Sequence, residues 1–176
     1  MISHDYKFIY SHLPKCGGTT VETMLKKYAS SSIGNPVAIR NKWWRNKNLF
    51  DLYENFPNYY KFTFSRNPYS RIVSAYTHWE NKNEKVRGNN FRHFTEQICS
   101  FLSESPERIY ATVGGNRCKN KTVDSKDFKF PYNDSLLGYH VLPQRYFITE
   151  DFDFIGKIEN FQTDFDLICE RLGIPT

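Results

Sequence analysis

Residues 7–28, KFIYSHLPKCGGTTVETMLKKY, limit the possible folds more than any other stretch of the chain. Phe8 and Tyr10 alternate with Ile9 and Ser11, the period of a short strand. Pro14 through Thr20 then form a tight glycine-rich turn. Val21, Met24, Leu25 and Tyr28 recur at i, i+3, i+4 and i+7, one face of a helix. Strand, glycine turn and helix N-terminus together make an anion cradle. The first helical N–H groups have no partner within the helix, and the helix dipole is positive at that end. Glycine lets the backbone close on an anion without a Cβ in the way. Lys15 adds a positive charge, and Thr19 and Thr20 add hydroxyl donors. The spacing is not that of the usual nucleotide loop, in which the lysine follows the glycines. Here it precedes them. The bland alternative is an ordinary strand–helix turn that happens to carry a lysine.

A second stretch repeats the layout. In residues 60–79, YKFTFSRNPYSRIVSAYTHW, Tyr60, Phe62 and Phe64 alternate with Lys61, Thr63 and Ser65. Asn67 is a good helix cap, and Pro68 suits the first helical position. Ile72, Val73, Tyr76 and Trp79 predict the buried stripe of the helix. Ser70, Ser74 and His78 fall at i, i+4 and i+8 on a polar face. Arg66 at the turn offers a planar fork to a phosphate, and Ser74 a hydroxyl further along. Taken alone, Arg66 reads rather as a helix-entry ion pair and Ser74 as a small packing residue. A second anion-capable turn in one small protein favours the binding reading.

Composition sets bounds on the rest. The 176 residues suit a single domain, 1–176, with a core rich in its 15 Phe, 12 Tyr and 3 Trp. The formal charge of +5 is uneven: from Glu150 onward seven acidic and two basic side chains give −5, leaving +10 on the first 149 residues. A basic body suits anionic ligands, but no nucleic-acid module pattern is present. The four cysteines, Cys16, Cys99, Cys118 and Cys169, form no C-x-x-C pair and no zinc spacing, so no metal is expected and free thiols are. No apolar run approaches the ~20 residues of a membrane span. MISHDYKF leads straight into the first strand without a secretory leader, so a cytoplasmic protein is expected, unless the chain is a piece of a longer one.

Elsewhere, residues 37–39 suggest a short strand. Residues 40–47 hold four cations beside Trp43 and Trp44, either an acceptor surface that stacks flat groups or a solvated basic loop. Residues 49–56 predict a short helix ended by Pro57, 81–90 a flexible polar connection, and 91–102 a helix on Phe94, Ile98, Phe101 and Leu102. Ser105-Pro106 suggest another helix start, and residues 113–134 a long basic loop. Residues 152–158 are the last strand. Asn160 opens a final helix on Phe161, Phe165, Ile168, Cys169 and Leu172, stopped by Gly173 and Pro175. Strands alternating with helices predict an α/β fold with a parallel sheet, whose ligands sit at the carboxyl ends of strands. Both anion turns leave such ends. One ligand with two separated anionic groups would explain both.

At these residues the chain resembles a known family. HLPKCGGTT resembles the 5′-phosphosulfate loop of sulfotransferases that use 3′-phosphoadenosine 5′-phosphosulfate (PAPS). FSRNPYSRIVSAY resembles their 3′-phosphate motif, with Arg66 and Ser74 at the matching arginine and serine. HVLPQ at 140–144 and FIGKIENFQTDFDLICERLGI at 154–174 are similar to the later part of the carbohydrate-type branch. The resemblance implies a P-loop-kinase-like three-layer α/β domain, its central parallel sheet flanked by helices. It implies that Lys15, Cys16, Gly17, Gly18, Thr19 and Thr20 hold the 5′-phosphosulfate, and Arg66 and Ser74 the 3′-phosphate. The reaction would be in-line sulfuryl transfer to a hydroxyl or amine of a small-molecule or glycan acceptor, with no metal and no nucleic-acid partner. Lys15 would stabilise charge at the leaving oxygen.

The chain also departs from that pattern. Relatives often carry a catalytic His or Glu near the second strand, where this chain reads VAIRNKWW. The general base therefore has other candidates: His140, within a shared segment, and His78, on the Ser74 face with Glu80 nearby. His12 reads as a structural member of the loop. Cys16 reads as a tolerated small side chain, and Arg117 and Lys119 as solvated loop charges. Two alternatives stand beside the sulfotransferase: a P-loop kinase or NTPase, and a sulfotransferase-like domain that binds nucleotide without catalysis.

Overall fold

The computed structural model describes residues 1–30, 53–103, 132, 137, 140–148 and 151–175. The expectations for residues 37–39, 40–47, 105–106, Arg117 and Lys119 lie outside them, as does nearly all of 113–134. In chain order the elements are β1 (Ile2–Ser3), β2 (Phe8–Ser11), α1 (Gly18–Leu25), β3 (Tyr60–Ser65), α2 (Pro68–Glu80), α3 (Glu84–Arg87), α4 (Phe91–Ser103), β4 (Phe154–Lys157) and α5 (Phe161–Leu172). The chain groups into two compact units. One joins residues 1–66 to 148–176, and the other is 67–147.

The first unit is built on a mixed sheet in the order β1-β2-β3-β4. β2 and β3 run parallel with Tyr10 opposite Phe62, and β3 and β4 run parallel with Phe64 opposite Gly156. β1 pairs antiparallel with β2, Ile2 opposite Ile9. Two residues are too few to show a period, and β1 left no signal in the sequence. Phe8, Tyr10, Phe62 and Phe64 share one face and pack against Val21 and Leu25 of α1 and Phe165 and Ile168 of α5. Such burial removes large apolar surfaces from water, about 2–3 kcal/mol for each full side chain.

The alternation expected of β3 is only half right. Lys61 and Thr63, on the polar positions, are buried as well. A central parallel strand is covered on both faces, and both polar groups find partners. Lys61 Nζ donates to the carbonyls of Pro57 at 2.9 Å and Tyr59 at 3.1 Å. Thr63 Oγ1 donates to Ser11 O at 2.7 Å. Along α1 the buried face is Gly18, Val21 and Leu25, whereas Met24 is 40% exposed. After Leu25 the chain tightens into a 3-10 turn at Lys26–Tyr28, which takes it off the helical period. α5 keeps its expected face of Phe165, Ile168 and Cys169. It stops at Gly173, whose φ of 65° is the left-handed cap that glycine adopts without strain.

In the second unit, Asn67 caps α2 by accepting from Tyr69 N at 2.9 Å and Ser70 N at 3.3 Å, and Pro68 opens the helix. The stripe expected on Ile72, Val73, Tyr76 and Trp79 is rotated. Arg71, Ala75 and Trp79 are buried, and Val73 is exposed. The cause is polar: Arg71 Nη1 donates to Leu142 O at 2.7 Å, which lets the guanidinium go inside. Ala75 and Trp79 pack with Val86, Phe94 and Ile98. The connection at 81–90, expected to be flexible, contains α3. Asn83 caps it by accepting from Lys85 N and Val86 N, and Val86 is wholly buried. One apolar residue in a charged run gave no periodicity to detect. α4 buries Phe94, Ile98 and Phe101 as expected.

Candidate functional site

The loop from β2 to α1 has two backbone positions that L side chains rarely adopt. Lys15 has φ 62° and Gly17 φ 70°. A left-handed lysine costs on the order of 1 kcal/mol or more, and such strain is retained where the surroundings require it. The turn is closed from within: Cys16 N donates to Leu13 O at 3.3 Å, and Cys16 Sγ to Pro14 O at 3.5 Å. Cys16 is completely buried. The side chain thus faces inward, while the backbone on either side of it turns. No side chain caps α1 at Gly17, and its first turn holds no acidic residue. The positive end of the helix therefore keeps its capacity for an anion. Thr19 and Thr20 are exposed on that first turn.

The two glycines are required for different reasons. A Cβ on Gly17 would come within 2.5 Å of Ile158 Cδ1, on a backbone already left-handed. A Cβ on Gly18 would collide with the imidazole of His12. His12 is held in place by Glu22 of α1, Nδ1 to Oε1 2.9 Å, with both side chains largely buried. The structural role read for His12 thus has a definite form: its ring roofs Gly18. Glu22 and Ile158 were not legible as members of this site. Their partners lie at separations no local period reveals.

Arg66 follows β3 and reaches the first loop. Its Nη1 donates to Lys15 O at 3.3 Å, and its side chain is half-buried. The end of β3 and the first glycine turn therefore meet, through Arg66, within the first unit. Lys15 is itself half-buried. Nearby, Ser65 Oγ donates to Gly156 O at 3.1 Å and fixes the end of β3 to β4.

Ser74, His78 and His140 belong to the second unit. Ser74 is half-buried on α2. The two histidines proposed separately as bases form one arrangement. Their rings stack with centroids 5.4 Å apart and planes at 29°, and the Trp79 indole meets the His140 ring edge-on at 5.5 Å. Among the described residues no three His, Cys, Asp or Glu side chains gather as metal ligands. None of the described helices is long and apolar enough to cross a membrane.

This loop can take a multiply charged anion through backbone N–H groups, two hydroxyls and a lysine, with an arginine behind it. The model of the sulfotransferase family matches residues 1–176. Carbohydrate sulfotransferase 14 of Danio rerio is 24% identical over 205 residues, covering 99% of this chain and 48% of that protein. The Mus musculus protein of the same name is 23% identical over 188 residues, with 99% and 46% covered. An uncharacterized protein of Archaeoglobus fulgidus is 27% identical over 120 residues, 68% of this chain and 72% of its own. This chain spans about half the length of the carbohydrate sulfotransferases it matches. No solved structure matches it. With the match running from the first residue through both anion turns to the last helix, the chain belongs to the sulfotransferase family.

Proposed function

We propose that the protein takes PAPS as donor and transfers its sulfuryl group to a hydroxyl or amine of a carbohydrate acceptor. The observation that carries this is the loop itself. Left-handed Lys15 and Gly17 flank buried Cys16 and lead into an uncapped helix, with Arg66 on the Lys15 carbonyl. Oriented N–H groups of this kind make a concave anion site. The layout, a parallel β2-β3-β4 core with the loop at the carboxyl end of β2, supports a P-loop-kinase-like reading of the sheet. Gly17, Gly18, Thr19 and Thr20 would hold the 5′-phosphosulfate, and Arg66 with Ser74 the 3′-phosphate.

In the reaction the acceptor oxygen or nitrogen attacks sulfur, the bond from sulfur to the bridging oxygen breaks, and the bisphosphate leaves with that oxygen. Negative charge grows on the leaving side. Lys15, next to the glycines rather than after them, supplies positive charge there. Arg66 holds the Lys15 carbonyl and so sets the lysine's backbone. The acceptor proton goes to a base, and the stacked His140 and His78 pair is our assignment for it. A carbohydrate acceptor is supported by the names of the relatives and by the family resemblance of residues 140–144.

Calorimetry without magnesium, comparing 3′-phosphoadenosine 5′-phosphate with ATP, tests the donor. The bisphosphate should bind and ATP should not. Preference for ATP would point instead to a kinase or NTPase. Transfer of labelled sulfate from PAPS to a panel of saccharides then tests the reaction. Tight binding of bisphosphate with no transfer would leave only a binding domain.

A further inference from the structure

The opposite end of the same parallel strands carries a recess, and no step of the proposed transfer uses it. A cleft of about 400 Å³ opens where the parallel strands begin, lined in part by Tyr6, Lys7, Tyr59, Tyr60, Asp153 and Arg171. That volume lies near the lower end for small-ligand sites, ~300–1,000 Å³. Lys7 precedes β2, Tyr60 begins β3, Asp153 precedes β4, and Arg171 lies in the last turn of α5. The glycine loop leaves the other end of β2. A four-residue strand, roughly 13 Å at ~3.3 Å per residue, separates the two.

The cleft walls are fixed. The Tyr59 hydroxyl is 2.8 Å from His4 Nδ1. The Tyr6 ring meets Tyr28 edge-on at 5.2 Å. The Arg171 guanidinium lies over the Tyr60 ring at 5.8 Å. Tyrosine side chains held in this way contact a sugar at small entropic cost. The polar groups come in both kinds. Asp153 uses Oδ2 to accept from Lys61 N at 2.7 Å, and its other oxygen has no partner among the described residues. Neither Lys7 nor Arg171 forms an ion pair among the described residues. Two cations and one carboxylate leave the cleft net positive. Arg171 also offsets the negative end of α5, so Lys7 supplies the freer charge. Lys7 sits at φ 50°, a left-handed position that glycine would fill without strain. A lysine there keeps its charge at the mouth despite the backbone cost.

We infer that this cleft is a binding site for an anionic saccharide, separate from the donor loop. The tyrosine side chains border the sugar ring, Lys7 and Arg171 take its carboxylate or sulfate, and Asp153 accepts from a ring hydroxyl. It extends the acceptor reading without depending on it, since binding here needs no donor.

Isothermal titration with tetragalacturonate, beside neutral maltotetraose and inorganic sulfate, tests the inference. Tetragalacturonate should bind, maltotetraose and sulfate should bind far more weakly, and excess 3′-phosphoadenosine 5′-phosphate should not displace it. Lys7→Gly removes the charge while suiting the backbone, and Arg171→Gln keeps the polar stem. Each should weaken tetragalacturonate about tenfold, the worth of one charge-assisted contact. Absence of binding, equal binding of maltotetraose or sulfate, indifference to both substitutions, or displacement by the bisphosphate would each overturn it. Failure of bisphosphate binding alone would count against the donor loop and leave this site standing.

Discussion

Arg66 Nη1 donates to the backbone carbonyl of Lys15 across 3.3 Å, joining the turn after β3 to the turn after β2. The bond ties an arginine assigned to one end of the donor to the lysine assigned to the other. The two residues should therefore lose function in different ways. Lys15→Ala removes charge that matters most as the leaving group departs. Its turnover should fall by about 10²–10³-fold, with bisphosphate affinity much less affected. Arg66→Ala should chiefly weaken bisphosphate binding, by calorimetry, and Arg66→Lys should restore it only in part because the planar fork is lost. Near-normal sulfate transfer by Lys15→Ala would remove it from the chemistry.

The roof of His12 over Gly18 predicts a coupling. Gly18→Ala should destabilise by about 1–3 kcal/mol, the usual range for overpacking a closed site. Removing the ring with His12→Ala makes room for the new methyl, at the loss of the contact with Glu22. The double variant should then be more stable than the sum of the singles implies, by on the order of 1 kcal/mol. Urea unfolding of the four proteins measures it. Strict additivity would mean that the ring moves aside at no cost.

Thiol reactivity follows burial. Burial, with a smaller contribution from Asp166, raises the Cys169 thiol above its ordinary range. A raised pKa means less thiolate at a given alkaline pH, and labelling that accelerates as pH climbs. In a Cys118→Ser background, exposed Cys99 should react first with an aromatic disulfide reagent. Cys16 and Cys169, both buried, should follow only on unfolding. Rapid loss of a second thiol in the native protein would contradict the closed turn at Cys16.

The stack of His78 on His140 predicts a shared kinetic phenotype. If the pair serves as base, His140→Ala should lower turnover by about 10²-fold or more, and bisphosphate affinity should hold. His78→Ala should lower turnover by a smaller factor, because it removes the ring stacked on His140 at 5.4 Å. Unchanged turnover in both variants would place the base elsewhere.

Much of this was legible in the chain because period and chemistry agreed. β2, β3 and α5 show clean periods of 2 or 3.6, and the Lys15–Thr20 and Arg66 turns follow from glycine and capping chemistry. Beyond the elements too short to show a period, the failures on α2 and β3 share a cause: backbone carbonyls that accept from side chains. Arg71 is buried because Leu142 O accepts a hydrogen bond from it, which rotates α2 and leaves Val73 outside. Lys61 is buried because Pro57 and Tyr59 carbonyls receive it. The link from Arg66 to Lys15 is of the same kind. Patterns of side-chain polarity do not show where a distant carbonyl will lie. Glu22 was hidden for a related reason, since ten residues separate it from His12.

β3 draws both of its neighbours from afar. Thr63 bonds to Ser11 across 52 positions, and Lys61 to Asp153 across 92. A ribosome must therefore make most of this polypeptide before the middle of the sheet can be sealed. Until residues 154–157 arrive, one margin of β3 stays open, with Phe62 and Phe64 short of their partners from α5. Non-local pairing of this sort slows folding, and an open margin invites foreign strands. During synthesis the nascent protein should thus depend on chaperones until its last strand and helix emerge, and a truncation before residue 154 should aggregate rather than bind nucleotide weakly.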